Sequence, residues 1–298
     1  MPSRALYLVN PGARRAQEAA DEAEATLTAM GLDLVSVTSY DPARLGDIIR
    51  SEQEGLDRVI VAGGDGTLNA ALQGLVGTGL PLGIIPVGTA NNLARTLGIP
   101  SSLTEASEIV AQGTTRAIDL GWVNGRYFFT TASIGLSVQI TEALTHRTKQ
   151  RWGALAYGVA AIRALARSRP FHAEISWSRG SRHSRSIQIV VGNGKYYGSA
   201  LPVAEDAAID DARLDLYTLE VRHWWELIAL VPALRRGQQG EKQSVEALRA
   251  TEFQIRTRHP MDINVDGEIS SQTPAHCRVL PRALEVFAPP QPPVRGTV

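Results

Sequence analysis

A strand that runs through glycines directly into a helix is the feature that most restricts the fold of this chain. The apolar, β-branched run 58–62 ends in Gly63-Gly64-Asp65-Gly66-Thr67, and a helical pattern follows at once. A buried strand joined to a helix in this way is typical of a parallel sheet in an α/β domain. Glycines let backbone N–H groups approach an anion, and a helix N-terminus adds positive partial charge. The junction therefore predicts a phosphate-binding loop.

Asp65 is the unusual residue of this loop. A carboxylate aimed at a phosphate repels it unless a Mg²⁺ ion or a proton intervenes, so Asp65 indicates metal-nucleotide chemistry. The alternative is a tight turn in which Asp65 or Thr67 only caps the helix. The chain contains neither the phosphate loop Gly-x-x-x-x-Gly-Lys-Ser/Thr nor the spaced glycine fingerprint of dinucleotide-binding folds, which disfavours those two nucleotide-binding classes.

A second junction of the same kind follows the apolar run 82–86. There Gly88-Thr89-Ala90-Asn91-Asn92 stands just before another helical pattern. In an open parallel sheet the carboxyl ends of the strands meet at one edge, and ligands bind there near a topological switch point. We therefore expect the two glycine loops to converge, although the second one alone is more typical of an ordinary turn and cap.

The pattern along the chain indicates two domains and a short tail. Strands are predicted at 5–9, 33–37, 58–62 and 82–86, and helices at 16–30, 45–53, 68–77 and 90–97. Short alternating runs then indicate antiparallel strands at 126–132, 172–177, 187–191, 214–219, 253–258 and 284–287, interrupted by helices at 145–166 and 224–234. The domains are placed at 1–122 and 123–288, and the proline-rich residues 289–298 are expected to be a flexible tail.

Composition excludes several kinds of partner and site. The 30 basic and 30 acidic side chains cancel, so no net field favours nucleic acid. Cys277 is the only cysteine, which excludes an intramolecular disulfide and is consistent with a reducing cytoplasm. No stretch approaches eighteen uninterrupted apolar residues, so we expect no transmembrane segment, and peripheral attachment to a membrane stays open.

Five motifs in order resemble those of the diacylglycerol kinase-like bacterial lipid kinases. They are Asn10-Pro11-Gly12, Gly63-Gly64-Asp65-Gly66-Thr67, the segment from Pro86 to Arg95, Gly192-Asn193-Gly194 and Asp266-Gly267-Glu268. Gly-Gly-Asp-Gly-Thr alone is shared with NAD kinases, so the ordered set carries the resemblance, which covers nearly the whole chain. It implies a Rossmann-like α/β domain followed by a C-terminal β-sandwich.

The resemblance also implies an ATP site between the two domains. The residues that it assigns to ATP are Asn10, Thr38, Gly63, Gly64, Asp65, Gly66, Thr67, Leu68, Asn69 and Thr89. Thr38 is placed only by its position at the end of the second strand, and the neighbouring Ser39 could fill the same role.

Catalysis is assigned to Asp65, Asp266 and Glu268. Removal of the hydroxyl proton during phosphate transfer requires a carboxylate within hydrogen-bond reach, and the resemblance allows either Asp266 or Glu268 in that role. Without the other motifs, Asp266-Gly267 is more typical of a hairpin turn with a solvated Glu268. We expect Asp65→Ala and Asp266→Ala each to abolish phosphate transfer while leaving the fold intact.

The segment 202–216 resembles the magnesium loop of the family. The resemblance assigns Mg²⁺ to the carboxylate of Asp211 and to the carbonyl oxygens of Ala208 and Arg213, and it places Asp119 in the associated network of water and metal. Ala212 stands where the family usually has glycine, so a loop that needs positive φ would be distorted. Asn92 and Ala70 also replace residues that are usually acidic.

The function predicted from the sequence is therefore ATP- and Mg²⁺-dependent phosphate transfer to a lipid hydroxyl at a membrane surface. Diacylglycerol is the expected acceptor, and sphingoid bases, monoacylglycerol and phosphatidylglycerol stay open as alternatives. A kinase of NAD or another soluble metabolite is one alternative, and a lipid- or nucleotide-binding protein without turnover is the other. A homodimer is also left open.

Overall fold

In the computed structural model of the chain, the apolar runs of the N-terminal part form a parallel sheet, as the sequence predicts. The structure describes residues 3–10, 14–39, 41–143, 168–193, 196–197, 201–202, 208–220 and 245–290. The chain forms two units, one of Met1–Ile118 with Arg282–Val298 and the other of Asp119–Pro281. The domain boundary at residue 122 stays a prediction. The two units divide slightly earlier than that, and residues 282–298 belong to the first unit.

The first unit is an α/β sheet with helices. Its strands are β1 (Arg4–Val9), β2 (Asp33–Thr38), β3 (Arg58–Gly63) and β4 (Leu82–Pro86), and its helices are α1 (Arg14–Ala29), α2 (Leu45–Glu52), α3 (Asp65–Leu75), α4 (Asn92–Leu97) and α5 (Leu103–Gln112). The strands are parallel in the order β2-β1-β3-β4. The chain therefore steps to one side of β1 and then to the other, which makes the gap between β1 and β3 a topological switch point.

Burial explains why these runs are continuous rather than alternating. Every residue of β4 and all but the first of β1 and β3 are buried, as expected for central strands covered on both faces. The edge strand β2 is half-buried or exposed along its length.

Almost all of the regular elements in the described part of the second unit are strands. They are β5 (Thr115–Val123), which starts in the first unit, β6 (Arg126–Phe128), β7 (Thr131–Gly135), β8 (Phe171–Trp177), β9 (Gly180–Ser186), β10 (Gln188–Gly192), β11 (Tyr196–Tyr197), β12 (Leu201–Pro202), β13 (Leu214–Leu219), β14 (Val245–Ala250), β15 (Glu252–Thr257), β16 (Asp262–Val265), β17 (Glu268–Gln272) and β18 (Ala275–Phe287), with one helix, α6 (Leu136–Ala143), after β7. The end of β18 belongs to the first unit, where Val286 pairs in parallel with Leu82.

Two antiparallel sheets of the second unit enclose one core. The first has the order β14-β13-β10-β7-β16-β17, and the second has the order β18-β15-β8-β9. The core between them includes Ile134, Ile189 and Leu216 from the first sheet and Ile175 and Phe253 from the second. The β-sandwich implied by the resemblance is confirmed.

Some element bounds differ from the sequence prediction. Helix α3 begins at Asp65 rather than at residue 68, and α5 was not predicted. The run 126–132 is not one strand, because it is broken between Phe128 and Thr131. The helices predicted at 145–166 and 224–234 and most of the proline-rich tail lie outside the described residues.

Candidate functional site

The carboxyl edge of the parallel sheet gathers the sequence-predicted ATP residues of the first unit. Asn10 follows β1, Thr38 ends β2, Gly64 follows β3 and Thr89 lies in the loop after β4. Because Val9 pairs with both Thr38 and Ala62, and Gly63 pairs with Pro86, all four strands end at the same edge. Asn10 and Gly64 therefore flank the switch point between β1 and β3.

The two glycine loops converge, and glycine is needed for the contact. A Cβ atom on Gly88 would lie 2.5 Å from the Cα atom of Gly64, a distance that real side chains do not reach. The Asn91 side chain holds the second loop in place. Its amide nitrogen donates to the carbonyl oxygens of Pro86 and Gly88, and its oxygen accepts from the Gly88 N–H at 3.1 Å.

Asp65 caps the neighbouring helix rather than its own. Its Oδ1 accepts a hydrogen bond from the Leu93 N–H, in the first turn of α4, at 3.2 Å. The N-cap of α3 is Gly64, and no side chain of the described residues forms a capping hydrogen bond to that helix. The backbone N–H groups at the start of α3 are thus left for an anion, and the simple N-cap alternative for Asp65 or Thr67 does not describe this turn.

Two asparagine oxygens near these loops are buried without a partner. Within the part of the chain that the structure describes, Asn69 Oδ1 and Asn92 Oδ1 accept no hydrogen bond. A hydroxyl or amino group of a nucleotide, or a cation, satisfies such an acceptor, whereas a phosphate oxygen does not. The site thus offers N–H donors for phosphates and acceptors for the rest of a nucleotide. The residues present fit ATP.

The side chains of the other predicted ATP residues differ in their exposure to solvent. The side chains of Thr67, Leu68 and Asn69 are buried. Thr38 and Thr89 are exposed. Ser39 is buried, and its hydroxyl donates to the Asp41 carbonyl oxygen at 3.1 Å. Of the two candidates at the end of β2, Thr38 is therefore the one whose hydroxyl faces solvent.

In the second unit, hydrogen bonds to the Asp266 carboxylate link a hairpin turn to the break between β6 and β7. Asp266 and Gly267 connect β16 to β17 with φ of +47° and +96°, the pair of left-handed residues of a type I′ turn. Asp266 Oδ2 accepts from Phe129 N at 2.7 Å, and Oδ1 accepts from Thr130 N at 3.0 Å, Thr130 Oγ1 at 2.5 Å and Thr131 N at 2.8 Å.

The two carboxylates of the motif have different surroundings. Burial raises the pKa of Asp266, and the four hydrogen bonds oppose that rise. Both oxygens of Asp266 already accept hydrogen bonds from the protein. Glu268, the first residue of β17, is exposed. The expectation that Asp266→Ala leaves the fold intact stays a prediction. The geometry favours a loss of stability instead, because three backbone N–H groups would lose their acceptor.

A second network surrounds Asp119, which is only 1% exposed. Its Oδ2 accepts from the Ala212 N–H at 2.6 Å, and its N–H donates to the Ile209 carbonyl oxygen at 2.8 Å. The Asn193 amide donates to the carbonyl oxygens of Asp119 and Phe129 at 2.9 and 3.0 Å. Asn193 thus connects the loop at 208–213 to the strand break that holds Asp266.

The predicted magnesium ligands lie together in this loop. The described residues contain no cluster of three or more histidine, cysteine or acidic side chains suited to a metal, but the predicted set needs only one carboxylate and two carbonyl groups. Mainly burial, and then the charges of Asp215 and Asp119, raise the pKa of Asp211. The bond from Arg213 N to Asp211 Oδ1 and the charge of Arg249, which pairs with Asp215, oppose that rise. A carboxylate beside backbone carbonyl oxygens is a ligand set that suits Mg²⁺. Ala212 has φ of +57°, so the loop does need the left-handed conformation that glycine favours.

Sequence reasoning missed the residues that brace the site. Asn264 Oδ1 accepts from the Gly267 N–H at 2.9 Å, and its amide donates to Thr141 Oγ1 at 2.7 Å. Thr130 bonds to Asp266 through both its N–H and its hydroxyl. No local pattern marks these roles, since the partners of Asp266 lie more than a hundred residues away.

Comparison with known proteins places both units in one family. The model of the diacylglycerol kinase catalytic domain matches residues 4–123, and that of the YegS C-terminal NAD kinase beta sandwich-like domain matches residues 130–288. The diacylglycerol kinase of Mycobacterium tuberculosis is 31% identical over 294 residues, which cover 95% of this chain and 94% of that protein. The diacylglycerol kinase of Bacillus subtilis is 31% identical over 236 residues, 78% of each chain.

A solved structure confirms the fold. The crystal structure of a diacylglycerol kinase from Bacillus anthracis has a TM-score of 0.82 at 23% identity, over 97% of this chain and 98% of that one. Within the described residues, no helix is both long and apolar enough to cross a membrane. On the two family models and the relatives that match along its length, the chain belongs to the diacylglycerol kinase family of lipid kinases.

Proposed function

We propose that this chain transfers the γ-phosphate of ATP to the hydroxyl group of a membrane lipid, with diacylglycerol as acceptor and phosphatidic acid as product. The observation that carries the proposal is the match to the diacylglycerol kinase of Mycobacterium tuberculosis over 95% of this chain. The convergent glycine loops support it, because they supply the donors that a triphosphate needs.

The nucleotide is proposed to bind at the carboxyl edge of the parallel sheet. The N–H groups at the start of α3 and in the loop after β4 would hold its phosphates. Asn69 and Asn92, whose buried oxygens have no partner, would accept hydrogen bonds from its hydroxyl or amino groups or contact a bound cation. Asn10 and Thr38 are assigned to the same nucleotide from the ends of β1 and β2.

Glu268 is proposed as the general base. Its carboxylate takes the proton of the lipid hydroxyl as the lipid oxygen forms a bond to the γ-phosphorus, and the bond between that phosphorus and the bridging oxygen of ADP breaks. Asp266 does not touch the reacting atoms in this scheme. It is a positioning residue, since its bonds to Phe129, Thr130 and Thr131 fix the turn from which Glu268 projects.

A magnesium ion is proposed at Asp211 with the carbonyl oxygens of Ala208 and Arg213. When bound, it would neutralise the negative charge of this loop. Asp119 would keep the loop in place through its bond to the Ala212 N–H, whether or not the metal is present. Asp65 is proposed to act at the phosphates through a second, nucleotide-bound Mg²⁺.

The test is incubation with labelled ATP and Mg²⁺ in the presence of single acceptors, followed by identification of the labelled product. The acceptors are diacylglycerol, monoacylglycerol, a sphingoid base, phosphatidylglycerol and NAD. We expect labelled phosphatidic acid as the main product. Labelling of NAD alone would support a soluble-metabolite kinase, and ATP binding without transfer to any acceptor would support a protein without turnover.

A further inference from the structure

The sheet β9-β8-β15-β18 has an outer face that the proposed reaction does not use. Its other face lies on the core of the second unit and carries Ile175 and Phe253. Residues paired directly across an antiparallel sheet share a face. His172 pairs with Arg185, and Glu174 pairs with both Arg256 and His183. All five residues lie on the outer side. Arg278, which pairs with Glu252, lies there as well.

This outer face is rich in exposed arginine. Arg185, Arg256 and Arg278 on the face and Arg258 just beyond the end of β15 are all exposed. The acidic residues of the face are Glu174, which is half-buried, and Glu252, whose Oε1 bonds His276 Nε2 at 2.6 Å. The chain as a whole has no net charge. On this face Glu174 stands opposite Arg256 and Glu252 stands opposite Arg278, so the local excess of positive charge comes from Arg185 and Arg258.

Aromatic side chains adjoin the arginines. The Arg278 guanidinium lies 4.6 Å from the centre of the Trp122 ring, and the His276 ring meets the same ring edge-on at 5.6 Å. Tryptophan beside cationic side chains is a combination favoured at the level of lipid headgroups, because the ring is partly apolar and partly polar.

We propose that this arginine face of the second unit docks on the anionic headgroups of a lipid bilayer. Guanidinium groups bind phosphate in a bidentate way, and a sheet presents them on one surface, as a bilayer requires. The inference rests on the proposed function in one respect: an enzyme whose acceptor stays in the bilayer needs a surface that meets the bilayer. Single-stranded RNA, which other proteins bind on open sheet faces, is the competing partner that the test includes.

The test uses the full-length protein and large unilamellar vesicles without ATP, so that it does not depend on kinase activity. One set is made of phosphatidylcholine and the other of equal parts of phosphatidylcholine and phosphatidylglycerol. The variant is Arg185→Glu/Arg256→Glu, and the matched control is Arg44→Glu/Arg50→Glu, which changes the charge equally at exposed positions of the first unit. Thermal unfolding verifies that each protein is folded.

We expect the wild type and the control to sediment with anionic vesicles, and the Arg185→Glu/Arg256→Glu variant to show a partition coefficient lower by about tenfold or more. Salt should weaken the wild-type binding. Activity on diacylglycerol in nonionic detergent micelles should be equal in all three proteins. Absence of that activity in the wild type would refute the proposed function. The vesicle-binding result would still test the docking proposal, because that assay does not depend on kinase activity.

Three outcomes would overturn the docking proposal. They are equal binding of both variants to anionic vesicles, no preference of the wild type for anionic over neutral vesicles, and tighter binding of the wild type to single-stranded RNA than to anionic vesicles. A wild-type dimer that the Arg185→Glu/Arg256→Glu change dissociates would equally assign the face to self-association instead.

Discussion

At the scale of single residues, two carboxylates that stand two positions apart have opposite surroundings. Asp266 has a positive φ and accepts four hydrogen bonds from residues 129–131, whereas Glu268 is exposed at the start of β17. The sequence left both open as the base. Local pattern does predict the hairpin turn, but it does not show that the turn's aspartate is saturated by a distant strand.

The first prediction concerns the structural role of Asp266. Asp266→Asn replaces an acceptor oxygen by an NH₂ group that faces backbone donors, so we expect the free energy of unfolding to fall by about 1–3 kcal/mol. Urea denaturation measures it. Glu268→Gln, on the same hairpin, is the matched control and should change the stability by less than about 0.5 kcal/mol. Equal effects of the two changes would contradict the assignment.

The second prediction concerns the backbone at Ala212. An alanine in the left-handed region costs roughly 1 kcal/mol, and the larger chain entropy of glycine offsets part of that gain, so Ala212→Gly should raise the free energy of unfolding by up to about 0.5 kcal/mol. Ala247→Gly is the control, because Ala247 lies within strand β14, where glycine lowers stability. A loss of stability in Ala212→Gly would show that the loop is not strained there.

At the scale of elements, the strand ends of the first unit could be predicted because two general rules apply to them. Continuous apolar runs identify buried parallel strands, and the carboxyl ends of such strands meet at one edge. The convergence of the two glycine loops follows from these rules and is confirmed. Helix α5 was missed although a signal exists, since the Ser102 hydroxyl accepts from the Glu105 N–H at the N-terminus and Gly113 ends the helix.

The split between β6 and β7 could not be predicted locally. The run from Arg126 to Ala132 has a strand pattern throughout, and it is interrupted where Phe129 and Thr130 turn their N–H groups to Asp266. A tertiary contact overrides strand propensity here. The same contact forms part of the candidate site, so the least predictable element lies in that site.

The third prediction tests the glycine contact. Gly88→Ala places a Cβ atom against the backbone of Gly64, so we expect a loss of about 1–3 kcal/mol in stability and weaker ATP binding. Gly66→Ala is the matched control in the neighbouring loop, because a Cβ atom there meets nothing within 4 Å. It should keep or slightly raise stability, since alanine favours the first turn of α3. Equal destabilisation of both variants by calorimetry would contradict the contact.

At the scale of the whole molecule, the chain combines an α/β unit and a β-sandwich with separate cores. The only cysteine of the chain, Cys277, lies in the sandwich core with its side chain buried, and burial raises its pKa to about 12. A thiol that is protonated and inaccessible reacts only when its surroundings open. Cys277 is therefore a probe of the second unit alone.

The fourth prediction follows from that location. At pH 8 the folded protein should not react with an Ellman-type disulfide reagent, and labelling should appear together with unfolding as urea is raised. If the thiol were labelled in the native protein as fast as free cysteine, the packing of the sandwich core around it would be refuted.

The central claim is that this family member transfers phosphate to a lipid with Glu268 as the base. The most direct measurement is the rate of labelled phosphate transfer from ATP to diacylglycerol by the wild type, by Glu268→Gln and by Glu285→Gln, an exposed control on β18. We predict a loss of about 100-fold or more in kcat for Glu268→Gln, with unchanged melting temperature and ATP affinity, and full activity for the control. Full activity of Glu268→Gln, or no transfer by the folded wild type, would contradict the account.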